Sequence, residues 1–480
     1  MQRPNVTTMK ERLIGREREQ NLLNRYMRSG KSEFIALYGR RRVGKTFLIR
    51  KTIGKEACFT LTGMENADLQ DQLANFHITL SRVFAAAQRP SSWIEAFYEL
   101  EQYLEQAPQP VKIVVIDELP WLDTVRSKLI GALEHFWNAW ASARSDIKLI
   151  VCGSATSWMI NHIINNYGGL YGRLTSRMKL APFTLSECER FFQSKGITLS
   201  RYDIAQGYMV VGGIPYYLDY VRKGLSLAQN IDRMFFADGA KLRDEYDLLF
   251  ASVFSNPEQM KGIVQLLGTR HSGFTRQEIL AKTGLDDGGA VTKLLKALEV
   301  SDFIKSYVPF GKGKRDLHYK LTDPFCLFHL KFVQGQTEID PDFWMHNVAS
   351  QSVSAWRGIA FEELCFSHIG QIKKALDILG VSSKQSAFVV KGDSETEGMQ
   401  IDLLIDRKDN VLNLCEMKFV GDEFEVDNDY EKKLRHRLQW MLDHMNRKQS
   451  LQMTLVTTFG LKYGYHSGAF QQVVTLDQLF

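Results

Sequence analysis

The stretch EFIALYGRRRVGKTFLIRKTI, residues 33–53, constrains this chain more than any other. It reads as a strand over 34–38, a glycine-bearing loop, and a helix beginning near Gly44. The loop fits G-x-x-x-x-G-K-[ST] at Gly39, Gly44, Lys45 and Thr46. Backbone N–H groups in such a loop turn inward and cradle phosphate. Lys45 then reaches the β/γ-phosphates, and Thr46 offers its hydroxyl to Mg²⁺. The loop interior, Arg40, Arg41, Arg42 and Val43, lines the same ligand. Strand, loop and helix in that order are the context the pattern requires, so ATP and Mg²⁺ are the expected cofactors.

Downstream, VKIVVIDELPWL is a continuous β-branched run, as expected of a strand covered on both faces. It ends in Asp117 and Glu118. Asp117 is placed to hold the metal and its water shell, and Glu118 to polarise an attacking water. A second buried run, IKLIVCGSATSWM, ends at Ser154, where a polar side chain can sense the γ-phosphate. MKLAPFT reads as a last strand leaving the sheet at Pro182. Together these give a P-loop ATPase core over 1–181 with a parallel sheet.

Two further stretches carry a resemblance. LIGREREQNLL, residues 13–23, resembles the hydrophobic-Gly-Arg-Glu opening of the origin-recognition and STAND branches of the AAA-like ATPases. That resemblance implies that Gly15 and Arg16 lie against the adenine. YGRLTSRMKLAPFTLSE and VVGGIPYYLDYV resemble motifs of the archaeal-type ATPases within that branch, whose members follow the core with a helical lid, a winged helix and a C-terminal domain. The resemblance makes Arg173 or Arg177 the arginine that senses the γ-phosphate, in cis or across a subunit boundary, and so permits a homo-oligomer. It also places Gly212, Gly213 and Pro215 in a lid loop near the base.

Residues 182–255 read as the helical lid, rich in aromatic pairs. From 256 to 330 the signals are those of a winged helix. Pro257 opens a helix, Thr275 caps the next with Glu278 completing a capping box, and a third helix precedes two strands around a basic tip, Lys312, Lys314 and Arg315. The tip suits phosphate, while Asp286 and Asp287 at the start of the third helix repel it. The module therefore either contacts DNA or packs against the lid. Residues 331–350 read as a linker.

A new domain is expected over 351–480. RGIAFEELCFSHIGQIKKAL is amphipathic, with Phe361, Leu364, Cys365 and Ile369 on one face. The hairpin QIDLLIDRKDNVLNLCEMKF follows. A three-residue turn, Lys408-Asp409-Asn410, would set Arg407 opposite Val411 and Asp402 opposite Glu416, since Asn tolerates the left-handed final position. A four-residue turn would instead face Asp402 with Cys415. In the first register Asp402, Glu416 and Lys418 share one face. Two carboxylates there can ligate a hard divalent cation, and the lysine can orient or deprotonate a water.

D-x13-E-x-K after a Glu-bearing helix resembles the PD-(D/E)XK nucleases, with Ile401 standing where the proline would be. The resemblance implies a C-terminal α/β restriction-endonuclease-like domain with Asp402 and Glu416 as metal ligands and Lys418 as catalytic lysine. Glu362 becomes the helix acid, with Glu363 as its fallback. Lys432, Lys433, Arg435 and Arg437 on the next predicted helix suit a phosphate backbone. The net charge of +5 permits a nucleic-acid partner, DNA favoured, without requiring one. Six cysteines stand singly, and no stretch is long and apolar enough to span a membrane, so a cytoplasmic protein is expected. The overall expectation is an α/β multidomain ATPase joined to a metal-dependent nuclease-like domain. The rival is an ATP-driven switch or scaffold whose last domain binds nucleic acid or protein without cleavage.

Overall fold

The computed structural model describes residues 13–166, 168–254, 256–336, 340–390, 399–444 and 449–480. The chain divides into two compact units, 1–182 and 183–480.

The first unit is built on a five-stranded sheet ordered β2-β3-β4-β1-β5. Its strands are β1 (Glu33–Tyr38), β2 (Ala57–Thr62), β3 (Lys112–Asp117), β4 (Ile147–Gly153) and β5 (Ser176–Lys179). Every pairing is parallel. Strands β3 and β4 are buried along their whole length, as their uninterrupted apolar runs demand when helices cover both faces. Phe34, Phe76, Trp93, Phe97, Phe136 and Trp137 dominate one core of this unit. Strand β4 lies between β1 and β3, so the phosphate loop and the acidic pair leave the sheet two strands apart at its C-terminal edge. Gly39 is obligatory there. Its φ is +144°, and a Cβ would meet the Leu180 carbonyl oxygen at 2.4 Å.

The second unit opens with helices between Leu185 and Val253. Next come helices Pro257–Gly268, Arg276–Thr283 and Gly289–Val300, with β6 (Phe274–Thr275), β7 (Ile304–Tyr307) and β8 (His318–Leu321). The three strands pair antiparallel in the order β6-β8-β7, adding a short first strand to the two expected. Thr275 caps its helix, and the Glu278 side chain returns to the Thr275 N–H at 2.8 Å, forming the capping box.

Segment 331–350 is not a bare linker. Trp344 and Met345 donate their N–H groups to the Asp232 carboxylate at 2.7 and 3.1 Å. The Trp344 ring lies 5.1 Å from Phe328 and 5.8 Å from Trp356. Its aromatic residues pack between Phe328 and the helix Gln351–Ser367.

The last sheet runs β13-β12-β11-β10-β9, from β9 (Ser383–Val390), β10 (Met399–Arg407), β11 (Val411–Lys418), β12 (Ser450–Thr457) and β13 (Gln472–Thr475). Strands β9, β10 and β11 are antiparallel, while β11, β12 and β13 are parallel. The helix Asn428–His444 makes the crossover from β11 to β12, burying Leu434 and Met441 against Leu404, Leu412, Leu414 and Leu455. Leu403 faces Cys415 and Asp406 faces Leu412, the register of the three-residue turn rather than the four-residue one. Asn410 takes φ +63°, as the three-residue turn requires. The β9–β10 pairing shifts register between Ile401 and Leu404, an irregularity that spans Asp402 and Leu403.

Candidate functional sites

At the end of β1, the Lys45 ammonium is buried and donates to the carbonyls of Gly39 and Arg40 at 2.9 and 3.1 Å. Burial pulls its pKa down, and the nearby Glu118 and Asp117 carboxylates oppose that pull. The Thr46 hydroxyl donates to Asp117 at 2.7 Å, bringing together the two oxygen donors expected to hold Mg²⁺. Hard oxygen donors at that spacing fit the ion. Gly44 and Arg42 take φ of +93° and +72°, which curls the loop; Val43 is buried beneath it. The Arg16 guanidinium donates to the Val43 carbonyl at 3.3 Å, tying the Gly15-Arg16 turn to the loop. Arg40 is buried, and Arg41 lies 3.8 Å from Glu65 and 5.7 Å from the Trp121 ring.

Ser154 is paired with Glu118. Its hydroxyl donates to Glu118 at 2.7 Å and its N–H to the same carboxylate at 2.9 Å. Strand β4 lies beside β3, so the residue leaving it meets the residue leaving β3. Glu118 itself sits at φ +48°, a strained conformation for a residue with a Cβ. The Cys152 thiol, on β4, donates to Asp117; sequence reading missed it because an apolar run hides a polar use of cysteine. Arg173 is exposed on the turn before β5, and Arg177 is exposed on β5. Pro215 starts a short helix of the second unit, beside Gly213, where a Cβ would meet the Phe183 carbonyl oxygen at 2.0 Å.

The C-terminal hairpin gathers its predicted residues. Lys418 Nζ lies 3.5 Å from Glu416 and 4.0 Å from Asp402. Asp402 and Glu416 are both buried. Asp402 accepts the Met417 N–H at 3.0 Å and a Gln400 amide at 3.3 Å. Burial, then the Glu416 and Glu362 charges, push its pKa up to about 7. The Glu416 carboxylate also accepts from the Tyr430 hydroxyl at 2.8 Å and pairs with Arg437.

Tyr430 and Arg437 lie two helical turns apart on the crossover helix, hence on one face. Sequence reading placed Arg437 with Lys432, Lys433 and Arg435 on a phosphate-facing surface. Instead Arg437 turns inward to Glu416, while Arg435 pairs with Glu431 and Lys432 with Asp429. Glu362 bonds to His271 Nε2 at 2.7 Å, and Glu363 pairs with Lys320. Among the described residues, no three His, Cys, Asp or Glu side chains are grouped as a metal site. The donor set that does meet, Asp402 and Glu416, is of the hard oxygen type that suits a divalent cation.

The basic tip also has a structural attachment. The Phe310 N–H donates to the Ala387 carbonyl at 3.4 Å, and its ring meets Phe388 edge-on at 6.1 Å. Lys312 and Arg315 are exposed; the Lys314 side chain lies outside the described residues. No described helix is long and apolar enough to cross a membrane.

Residues 13–221 match a family described as an ATPase domain predominantly from Archaea. That stretch is an ATPase domain of archaeal type. An uncharacterized protein of Methanocaldococcus jannaschii, MJECL04, is 26% identical over 365 residues, covering 75% of this chain and 78% of the relative. Among solved structures, the chain is similar to the Walker-type ATPase PABY2304 of Pyrococcus abyssi, with 17% identity and TM-score 0.46, over 67% of this chain and 97% of that one. It is also similar to the ORC2 protein of Aeropyrum pernix in its ADPNP–ADP complexes, with 12% identity and TM-score 0.40, over 75% and 97%.

Proposed function

We propose that the chain couples ATP hydrolysis in its first unit to a metal-dependent phosphodiester hydrolase site in its second, acting on nucleic acid with DNA favoured. The observation that carries the second half is the convergence of Asp402, Glu416 and Lys418 in the one register that allows it. Two buried carboxylates side by side repel each other, and a divalent cation relieves that repulsion. Asp402, pushed up to about 7, holds a proton in competition with such an ion. When bound, the ion supplies charge neutralisation and a polarised water. Lys418 is placed beside both carboxylates to orient that water.

In the first unit, Lys45 would hold the β/γ-phosphates of ATP, and Thr46 with Asp117 would hold Mg²⁺. Glu118, bonded to Ser154, would polarise the attacking water. Arg173 or Arg177, both exposed, would serve the γ-phosphate, in cis or from a neighbouring copy. The three helices and small sheet over 257–321 act as a winged helix whose hairpin docks on β9 through Phe310, which favours packing over an open DNA reader.

A second reading has its own support. Arg437 already neutralises Glu416, so the site can persist as a buried ion-pair network in an ATP-driven switch. Cleavage assays with Mg²⁺ or Mn²⁺ on single- and double-stranded DNA and RNA separate the two. Under the hydrolase reading, Asp402→Asn and Lys418→Ala lose cleavage while ATP turnover persists. No cleavage by the wild-type chain with any ion, together with metal-independent melting, selects the switch.

A further inference from the structure

Asp117 closes β3, and its two carboxylate oxygens have separate holders. Oδ2 accepts the Thr46 hydroxyl at 2.7 Å. Oδ1 accepts the Glu118 N–H at 2.9 Å and the Cys152 thiol. Asp117 and Cys152 are both buried. Their meeting follows from the sheet. Ile116 of β3 pairs with Val151 of β4, and both pack into the core that holds Phe34 and Trp137. Side chains alternate along a strand, so the next residue of each, Asp117 and Cys152, turns to the opposite face. The two strand ends are also pressed together on the far side. A Cβ on Gly153 would meet Pro120 Cδ at 2.6 Å, so the short helix Leu119–Leu122 lies directly on the end of β4. A cysteine in an apolar strand is ordinarily a small filler. This one directs its thiol proton at a carboxylate.

We infer that Cys152 is a positioning residue of the ATPase site, its thiol fixing the rotation of the Asp117 carboxylate so that Oδ2 stays beside Thr46. This rests on the reading of Thr46 and Asp117 as the holders of Mg²⁺. The Glu118 N–H belongs to the adjacent residue and moves with Asp117. The thiol comes from another strand, and so ties the carboxylate to the frame of the sheet. With Oδ1 held from both sides, Oδ2 is the oxygen left to face the ion. Outer partners of this kind commonly matter ten- to a hundredfold for metal affinity or activity.

The test is calorimetric binding of ADPNP, a non-hydrolysable ATP analogue, to the full-length chain in EDTA and over a series of free Mg²⁺ concentrations, with thermal melting of each variant. Asp117→Asn defines the Mg²⁺-dependent part of the affinity. Cys152→Val fills the space without a donor. It is expected to raise the Mg²⁺ concentration at half-maximal gain about tenfold, with binding in EDTA unchanged. Cys152→Ser keeps a donor on the same Cβ and is expected to restore most of the Mg²⁺ affinity. If Asp117→Asn removes the Mg²⁺ gain but Cys152→Val does not shift it, the positioning role is wrong and the reading of Asp117 stands. A natively melting Cys152→Ser that needs as much Mg²⁺ as Cys152→Val also overturns the role. So does an equal loss of affinity by Cys152→Val in EDTA, because general distortion of the loop would produce it. If Asp117→Asn keeps the full Mg²⁺ gain, both readings fall together.

Discussion

Gly39 and Gly44 both bend the phosphate loop, yet a methyl group would meet different surroundings at each. At Gly39 the added Cβ would lie 2.4 Å from a backbone oxygen of Leu180, which has no room to retreat because the Leu180 N–H donates to the Tyr38 carbonyl. At Gly44 nothing lies within 4 Å, and only the positive φ is at stake. Gly44→Ala should therefore cost roughly 1–3 kcal/mol of backbone strain. Gly39→Ala should cost clearly more, because it adds a clash to the same strain. Denaturant unfolding of both variants checks the order; equal losses would mean that Leu180 does not crowd the loop. At the same scale, the Glu118 carboxylate accepts from the Ser154 hydroxyl. Only the juxtaposition of β3 and β4 could reveal that bond.

The capping box at the start of the helix Arg276–Thr283 is an element-scale device with a pH signature. Burial alone would raise the Glu278 pKa. The Thr275 N–H and the Arg270 guanidinium outweigh it and hold the carboxyl down at about 2. A depressed acid stabilises the fold fully above its unfolded value of 4.5, and that contribution disappears as pH falls from there through about 2. The side chain is 37% exposed, so solvent screening cuts the gain to about 1 kcal/mol. Glu278→Gln should lower stability by that amount near neutrality and by much less near the low end of the window. Denaturant melts across the acid range measure the difference. An unchanged pH slope in the variant would assign acid sensitivity elsewhere. This helix also braces the turn bearing His271, because Arg270 bonds both Glu278 and the Gly273 carbonyl.

Two units with their own cores give the whole molecule a divided response to nucleotide. A ligand that binds only the folded first unit stabilises it by about 2.7 kcal/mol at a hundred times its Kd. With ATP and Mg²⁺, the unfolding transition of the first unit should move up by that amount in the wild type. Lys45→Ala should abolish the shift, since no other ammonium sits in the loop to meet the β/γ-phosphates. Calorimetric scans of both proteins test this. A full shift in Lys45→Ala would remove the phosphate loop from the reading of the first unit.

Sequence alone determined whatever depends on neighbours along the chain. The phosphate loop is a contiguous pattern, and the Thr275–Glu278 cap spans a single helical turn. Each is fixed by local stereochemistry, so the residues disclose it without the fold. Tertiary structure decided which distant elements touch. It set β4 between β1 and β3, turned the expected linker into an aromatic seam through Trp344, and docked the hairpin on β9 through Phe310. It likewise turned Arg437 inward to Glu416 and brought His271 to Glu362. Such pairings join residues far apart in sequence, and an amphipathic pattern says that a face will be buried without saying against what.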